Sequence, residues 1–197
     1  MSPVALSVMR YTLFFKRKNA LKVLDYGAGR LRNALYLSGE GFHVYAADTS
    51  EQVRRIRELD SVKRLDGLLE NQQLSPGGLN ADLVVSTYVF NIIPDDEEKL
   101  QYLRNASLNL RPQGYFLIEV QCKRESPRCG SGCSAHMKYP TCAKACSLGE
   151  LDEMVKPFGF KRLCHYYRRH ALAVLYQLLN ARTDIVKRDD LRVTSMS

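Results

Sequence analysis

The 197-residue chain is 45% hydrophobic and 25% charged, the balance of a globular domain with one sizeable core. Lys and Arg number 29 against 21 Asp and Glu, a net charge of +8, so a basic surface is expected to favour anionic partners, nucleic acid among them. No apolar run reaches the roughly 20 residues of a membrane span, and no membrane partner is expected. The basic cluster Lys16-Arg17-Lys18 follows the mildly apolar stretch Met1 to Phe15 instead of preceding it, the wrong order for a secretory signal. A short helix ahead of the first strand and a cytoplasmic location are the expectation.

Leu21-Lys-Val-Leu-Asp-Tyr26 reads as a buried strand stopped by Gly27. Leu31, Ala34, Leu35 and Leu37 recur at near-helical spacing over Arg30 to Ser38, and Gly39 and Gly41 bracket the helix end. Phe42 to Ala47 is a second strand closed by Asp48, after which Thr49 or Ser50 can cap a helix carrying Val53, Ile56 and Leu59. A short strand is expected around Val62 to Leu65, then a loop over Asn71 to Asn80. Ala81 to Thr87 is a strong strand. Pro94-Asp95-Asp96 opens a helix with acids in its first turn, where the dipole favours them. The turn Arg111-Pro-Gln-Gly114 leads into the strand Tyr115 to Val120, and Ser147 can cap a helix through Val155. Phe160 to Tyr167 and Ala171 to Leu178 read as a closing hairpin. Strand–helix alternation argues for a parallel sheet covered on both faces, with an antiparallel last strand. Residues 1–180 are expected to form one domain, with a Cys-rich insert at 121–147 and a charged tail at 181–197.

In an open α/β sheet, ligands bind beyond the carboxyl ends of the strands. Three such ends carry suitable residues. Asp25-Tyr26-Gly27-Ala28-Gly29 has glycines that allow a sharp turn and a close ligand approach. Asp48, with Thr49 behind it, suits a bidentate grip on a ribose diol. Ser86-Thr87-Tyr88-Val-Phe-Asn91 follows the third strong strand, and its polar groups either face a reaction zone or cap the strand end.

Val23-Leu-Asp-Tyr-Gly-Ala-Gly29 resembles the hydrophobic-Asp-x-Gly-x-Gly signature of class I S-adenosylmethionine-dependent methyltransferases. Ala81 to Asp95 resembles that family's fourth-strand motif, and Leu110-Arg-Pro-Gln-Gly-Tyr-Phe-Leu-Ile118 its turn into the fifth strand. The resemblance covers Leu21 to Val120 and the closing hairpin. It implies a Rossmann-like, doubly wound, mostly parallel seven-stranded α/β sheet with a closing antiparallel hairpin. It also implies S-adenosylmethionine as cofactor, with the Asp25–Gly29 loop, Tyr26 included, around its methionine portion and Asp48 on its ribose. Asp66, at the end of the third strand, becomes a candidate for the adenine, with a solvated turn acid as the alternative. Thr87 and Tyr88 fall beside the methyl group, and Asn91 is the candidate substrate contact.

The chain departs from the pattern at Leu31, where a third glycine is frequent, and at Gln113, where a glycine usually stands. It is short ahead of the first strand, where the family often carries substrate-binding helices. A nicotinamide or flavin site is the rival for the glycine loop, but that fingerprint's third glycine is absent. Methyl transfer needs little acid–base machinery. If the acceptor is protonated, His136, Tyr139 or Glu119 could serve as base.

Cys129-x3-Cys133 and Cys142-x3-Cys146 fall within structural-zinc spacing, so a four-thiolate zinc site is one reading of the insert and a reduced loop the other. As a lid, the insert would bring Arg128 and Lys138 as anion contacts. Two functions follow: methyl transfer to a small-molecule, RNA or protein acceptor, or a non-catalytic module that binds a partner through its basic face.

Overall fold

The computed structural model describes residues 3–121, 146–168 and 171–179. Its helices are α1 (Leu6–Arg17), α2 (Arg32–Gly39), α3 (Ser50–Ile56), α4 (Asp96–Asn109) and α5 (Leu148–Val155). Its strands are β1 (Lys22–Tyr26), β2 (His43–Asp48), β3 (Gly67–Glu70), β4 (Ala81–Thr87), β5 (Leu110–Gln121), β6 (Phe160–Arg168) and β7 (Ala171–Leu178). They form one sheet in the order β3-β2-β1-β4-β5-β7-β6. The first five strands run parallel, and β7 is antiparallel to both β5 and β6. This is the doubly wound sheet with a closing hairpin that the resemblance implies. Among the described residues no helix is long and apolar enough to cross a membrane.

The two-residue period of the strands sorts the core into two layers. Val23, Val44, Val85 and Leu117 face α1, α2 and α3, where they meet Val8, Phe15, Ala34 and Leu37. Leu24, Val84, Phe116 and Ile118 face α4 and α5, packing on Tyr102, Leu103, Leu151 and Val155. The central strands are apolar on both sides because helices cover both faces. At the amino edge, Asp82 accepts the backbone N–H groups of Leu21 and Lys22 at 3.0 and 2.9 Å and pairs with Arg111. One carboxylate thus ties together the starts of β1, β4 and β5.

The caps follow the local sequence. The Thr49 hydroxyl accepts from Gln52 N–H, Asp95 accepts from the N–H groups of Glu97 and Glu98, and Ser147 and Glu150 form a reciprocal capping box. Two expectations are corrected. Val62 to Leu65 is not a strand: Asp60–Arg64 is a 3-10 turn, and the strand begins at Gly67. Gly67 lies opposite Tyr45, and a β-carbon there would stand 2.7 Å from the Tyr45 ring. The glycine therefore begins the strand by allowing close approach. The turn at Arg111 to Gly114 is absorbed into β5 as an irregularity between Ala81 and Leu83 in the β4 pairing, with Gln113 at φ 63°.

Candidate functional site

The β1 carboxyl end turns through Gly27 (φ 81°) and Gly29 (φ 54°) into α2. Both glycines are conformationally required, but their free faces differ. A β-carbon on Gly29 would meet nothing within 4 Å, whereas one on Gly27 would lie 2.2 Å from a Val89 methyl. Only Gly29 leaves the loop open to a ligand; Gly27 makes room for the protein's own side chain. Leu31, where a third glycine is frequent, keeps the left-handed conformation (φ 64°) with its side chain fully buried. Burial of a leucine side chain stabilises by about 1.5–3 kcal/mol, enough to offset the roughly 1–2 kcal/mol cost of the left-handed backbone.

Asp48 lies beside this loop. One carboxylate oxygen accepts Gly29 N–H at 2.7 Å and the other accepts Thr49 N–H at 2.8 Å. Gln52, in the first turn of α3, donates to the Gly29 carbonyl at 2.7 Å. The loop is held through both its N–H and its C=O, while the carboxylate keeps lone pairs for a further donor. Gln52 escaped the sequence reading, although its place just after the acid was the available signal.

Asp25 is 1% exposed, and one of its oxygens has no hydrogen-bond partner. Burial pushes its carboxyl up to about 7, against the Ala34 N–H and the Arg32 charge, and with help from the nearby Asp48. Tyr26 turns the other way. Its ring stacks on Tyr102 at 3.9 Å, and its hydroxyl accepts from Asn105. Tyr26 and Tyr102 both have raised pKa values, chiefly through burial. The Tyr26 side chain is core, and only its backbone belongs to the loop.

Asp66 is displaced from the expected site. It precedes β3, at the opposite edge of the sheet, where it accepts Val44 N–H at 2.7 Å and meets His43. The β3 carboxyl end beside Asp48 holds Glu70 and, next to it, Asn71, whose buried side-chain oxygen has no partner. The misplaced strand accounts for the misassignment.

Beyond β4, Thr87 accepts from Asn33 at 2.9 Å and from Arg32. Asn33 also caps α1 by accepting Ala5 N–H at 3.0 Å. Asn91 accepts Gln121 N–H at 2.7 Å and donates to Gln121 C=O at 3.3 Å, so its amide continues the β4–β5 ladder. That is a structural clamp, which occupies the groups a substrate would need. Tyr88 has a left-handed backbone (φ 63°) that aims its hydroxyl at Glu119, 2.5 Å away. Burial first, and then the Glu119 contact, raises the Tyr88 pKa, so its hydroxyl remains a donor.

Glu119 is 6% exposed on β5, opposite Thr87, and its second oxygen accepts from the buried Ser7 hydroxyl of α1. It borders a cavity of about 310 Å³ between α1, the β4 end and the β6–β7 hairpin, lined also by Leu6, Tyr88, Tyr166 and Arg168. Tyr88 adjoins Val89, which packs on Gly27, so one dipeptide separates this cavity from the glycine loop. Of the three candidate bases, Glu119 lies in this region; His136 and Tyr139 lie outside the described residues. So do Cys129, Cys133 and Cys142. Cys146 donates its backbone N–H to Gln121, and no metal-holding cluster occurs among the described residues.

Comparisons with known proteins bear on the fold and the family. A methyltransferase domain model matches residues 5–183. No curated protein matches the sequence. Among solved structures, a 1,6-didemethyltoxoflavin-N1-methyltransferase from Burkholderia thailandensis superposes with TM-score 0.64 at 16% identity. The match covers 89% of this chain and 79% of that one, and the relative holds 1,6-didemethyltoxoflavin and S-adenosylhomocysteine. A SAM-dependent methyltransferase from Methanosarcina mazei gives 0.64 at 14% identity, covering 83% and 97%. An O-methyltransferase family protein from Burkholderia thailandensis gives 0.69 at 13% identity, covering 89% and 56%. At these identities the structural likeness speaks for the fold, and the domain match over nearly the whole chain speaks for the family. This chain belongs to the methyltransferase domain family, as a class I S-adenosylmethionine-dependent methyltransferase.

Proposed function

We propose that the protein transfers the methyl group of S-adenosylmethionine to a small-molecule acceptor held in the cavity beside Glu119. The carrying observation is that cavity: about 310 Å³, aromatic-walled, and one dipeptide away from the glycine loop. A volume of this order suits a compact molecule. The Burkholderia thailandensis relative holds 1,6-didemethyltoxoflavin, which supports an acceptor of that scale.

The donor-side residues fit the cofactor. Gly29 is open on its ligand face, the Asp48 carboxylate is at the rim, and Asn71 has an orphaned buried oxygen at the same edge. Asp48 would grip the ribose hydroxyls and the Gly29 turn would approach the methionine portion. The bound cofactor supplies an electrophilic methyl carbon. This chain's own contribution is then orientation and exclusion of water. Gln52 and Asp48 fix the loop, and Tyr88, with the Arg32 guanidinium 5.9 Å over its ring, lines the acceptor cavity.

Calorimetry tests the donor half. Asp48→Ala is expected to weaken S-adenosylmethionine and S-adenosylhomocysteine binding by about 2–4 kcal/mol, the scale of two hydrogen bonds to a charged group. A folded wild type that binds neither would overturn the reading. For the acceptor half, protein incubated with methyl-labelled cofactor and a fractionated cell extract is expected to label the small-molecule fraction. Label confined to RNA or protein would overturn the small-molecule assignment and return attention to the basic surface.

A further inference from the structure

The cavity beside Glu119 has a charge pattern that its own protein groups leave unmatched. Glu119 is 6% exposed, and its two contacts, the hydroxyls of Ser7 and Tyr88, are both neutral. Arg168 lines the same cavity from the end of β6. Neither residue has an ion-pair partner among the described residues, and the two do not pair with each other. A nearly buried carboxylate without a cation is costly unless something completes it. Each carboxylate oxygen can accept more than the one hydrogen bond it has. The faces of the surrounding rings are partly engaged: Arg10 lies 4.6 Å over Tyr166. A ligand of uniform positive charge would therefore meet Arg168, and one of uniform negative charge would meet Glu119.

We infer that this cavity binds an amino-acid-like zwitterion, its ammonium on Glu119 and its carboxylate on Arg168. This rests on the small-molecule reading above and names the substrate class of that site. The ammonium presents N–H donors that Glu119 can accept alongside Ser7 and Tyr88. The guanidinium offers the planar fork that suits a carboxylate. Tyr88, Tyr166, Leu6 and Ala173 supply apolar lining to the same cavity.

The test uses the full-length chain and two probe sets of different size: glycine, methylamine and acetate; and phenylalanine, phenethylamine and 3-phenylpropanoate. Binding is followed by calorimetry and by chemical-shift titration, with and without S-adenosylhomocysteine. In at least one set the zwitterion is expected to bind at least tenfold more tightly than either single-charge member. Equal binding within both sets, or tighter binding of a single-charge member, would overturn the inference. Glu119→Gln is expected to erase the preference for the ammonium, and Arg168→Ala, at an exposed site, the preference for the carboxylate. An unchanged preference in folded Arg168→Ala protein would also overturn it. If the zwitterion preference stands while S-adenosylhomocysteine fails to bind, the ligand class survives and the methyl-transfer reading falls. If S-adenosylhomocysteine binds and the preference is missing, the reverse holds.

Discussion

The glycine-loop half and the Glu119 half of the site, proposed above as donor and acceptor sides, are built in different ways. Around the glycine loop, the parts lie close together along the chain: Asp48 and Gln52 reach Gly29 across α2, β2 and the first turn of α3. Around Glu119 the parts come from opposite ends. Ser7 belongs to α1, Glu119 to β5, and the Tyr11 hydroxyl meets the Cys164 thiol of β6 at 3.2 Å. The donor half is a local βαβ unit whose geometry is set by turns and caps. The acceptor half exists only when the sheet is complete.

The largest expected effect falls on the donor loop. Gly27→Ala would force a β-carbon into Val89 at a positive φ and is expected to cost about 3 kcal/mol or more. Gly29→Ala, with open space around it, is expected to cost about 1 kcal/mol. Urea denaturation of the pair would break the comparison if the two variants were equally stable.

Asp25 comes next. Burial pushes its folded carboxyl up to about 7, from an ordinary value of 3.8. Between these values the native state keeps a proton that the unfolded chain has released. This contribution therefore favours the fold at low pH, is lost as pH rises through about 4 to 7, and stays lost above. Asp25→Asn is expected to flatten that slope and to gain on the order of a few kcal/mol relative to wild type at pH 8, the two converging near pH 4. Denaturation at several pH values checks this, and parallel curves for the two proteins would count against it.

Ser7→Ala is expected to have the smallest effect, about 1–2 kcal/mol, for one buried donor to a carboxylate. Cofactor affinity should stay unchanged, since Ser7 touches only the acceptor side. A fall in S-adenosylhomocysteine affinity would show that the two halves are coupled.

Legibility in the sequence follows the same division. The turn after β1, the strand end at Asp48, the Thr49 cap, the helix opening around Asp95 and the closing hairpin were readable because turn chemistry and periodicity act within a few residues. Asp66 was misassigned because Gly67 reads as a terminator but serves as a close-approach position against Tyr45. The conformation of Tyr88, the clamp made by Asn91 and the link from Ser7 to Glu119 carry no local signal. Each depends on a partner brought near only by the sheet.

The strand order has a consequence for biosynthesis. β6 is made before β7 but touches the sheet only through it, because β7 occupies the place next to β5. On the ribosome, β6 must wait beside an unfinished sheet until Leu178 has emerged. The Tyr11–Cys164 contact and the hairpin wall of the Glu119 cavity are thus among the last to form. A chain stopped just short of Ala171 would lose two strands for the removal of one, and would expose the β5 edge to pairing with other chains.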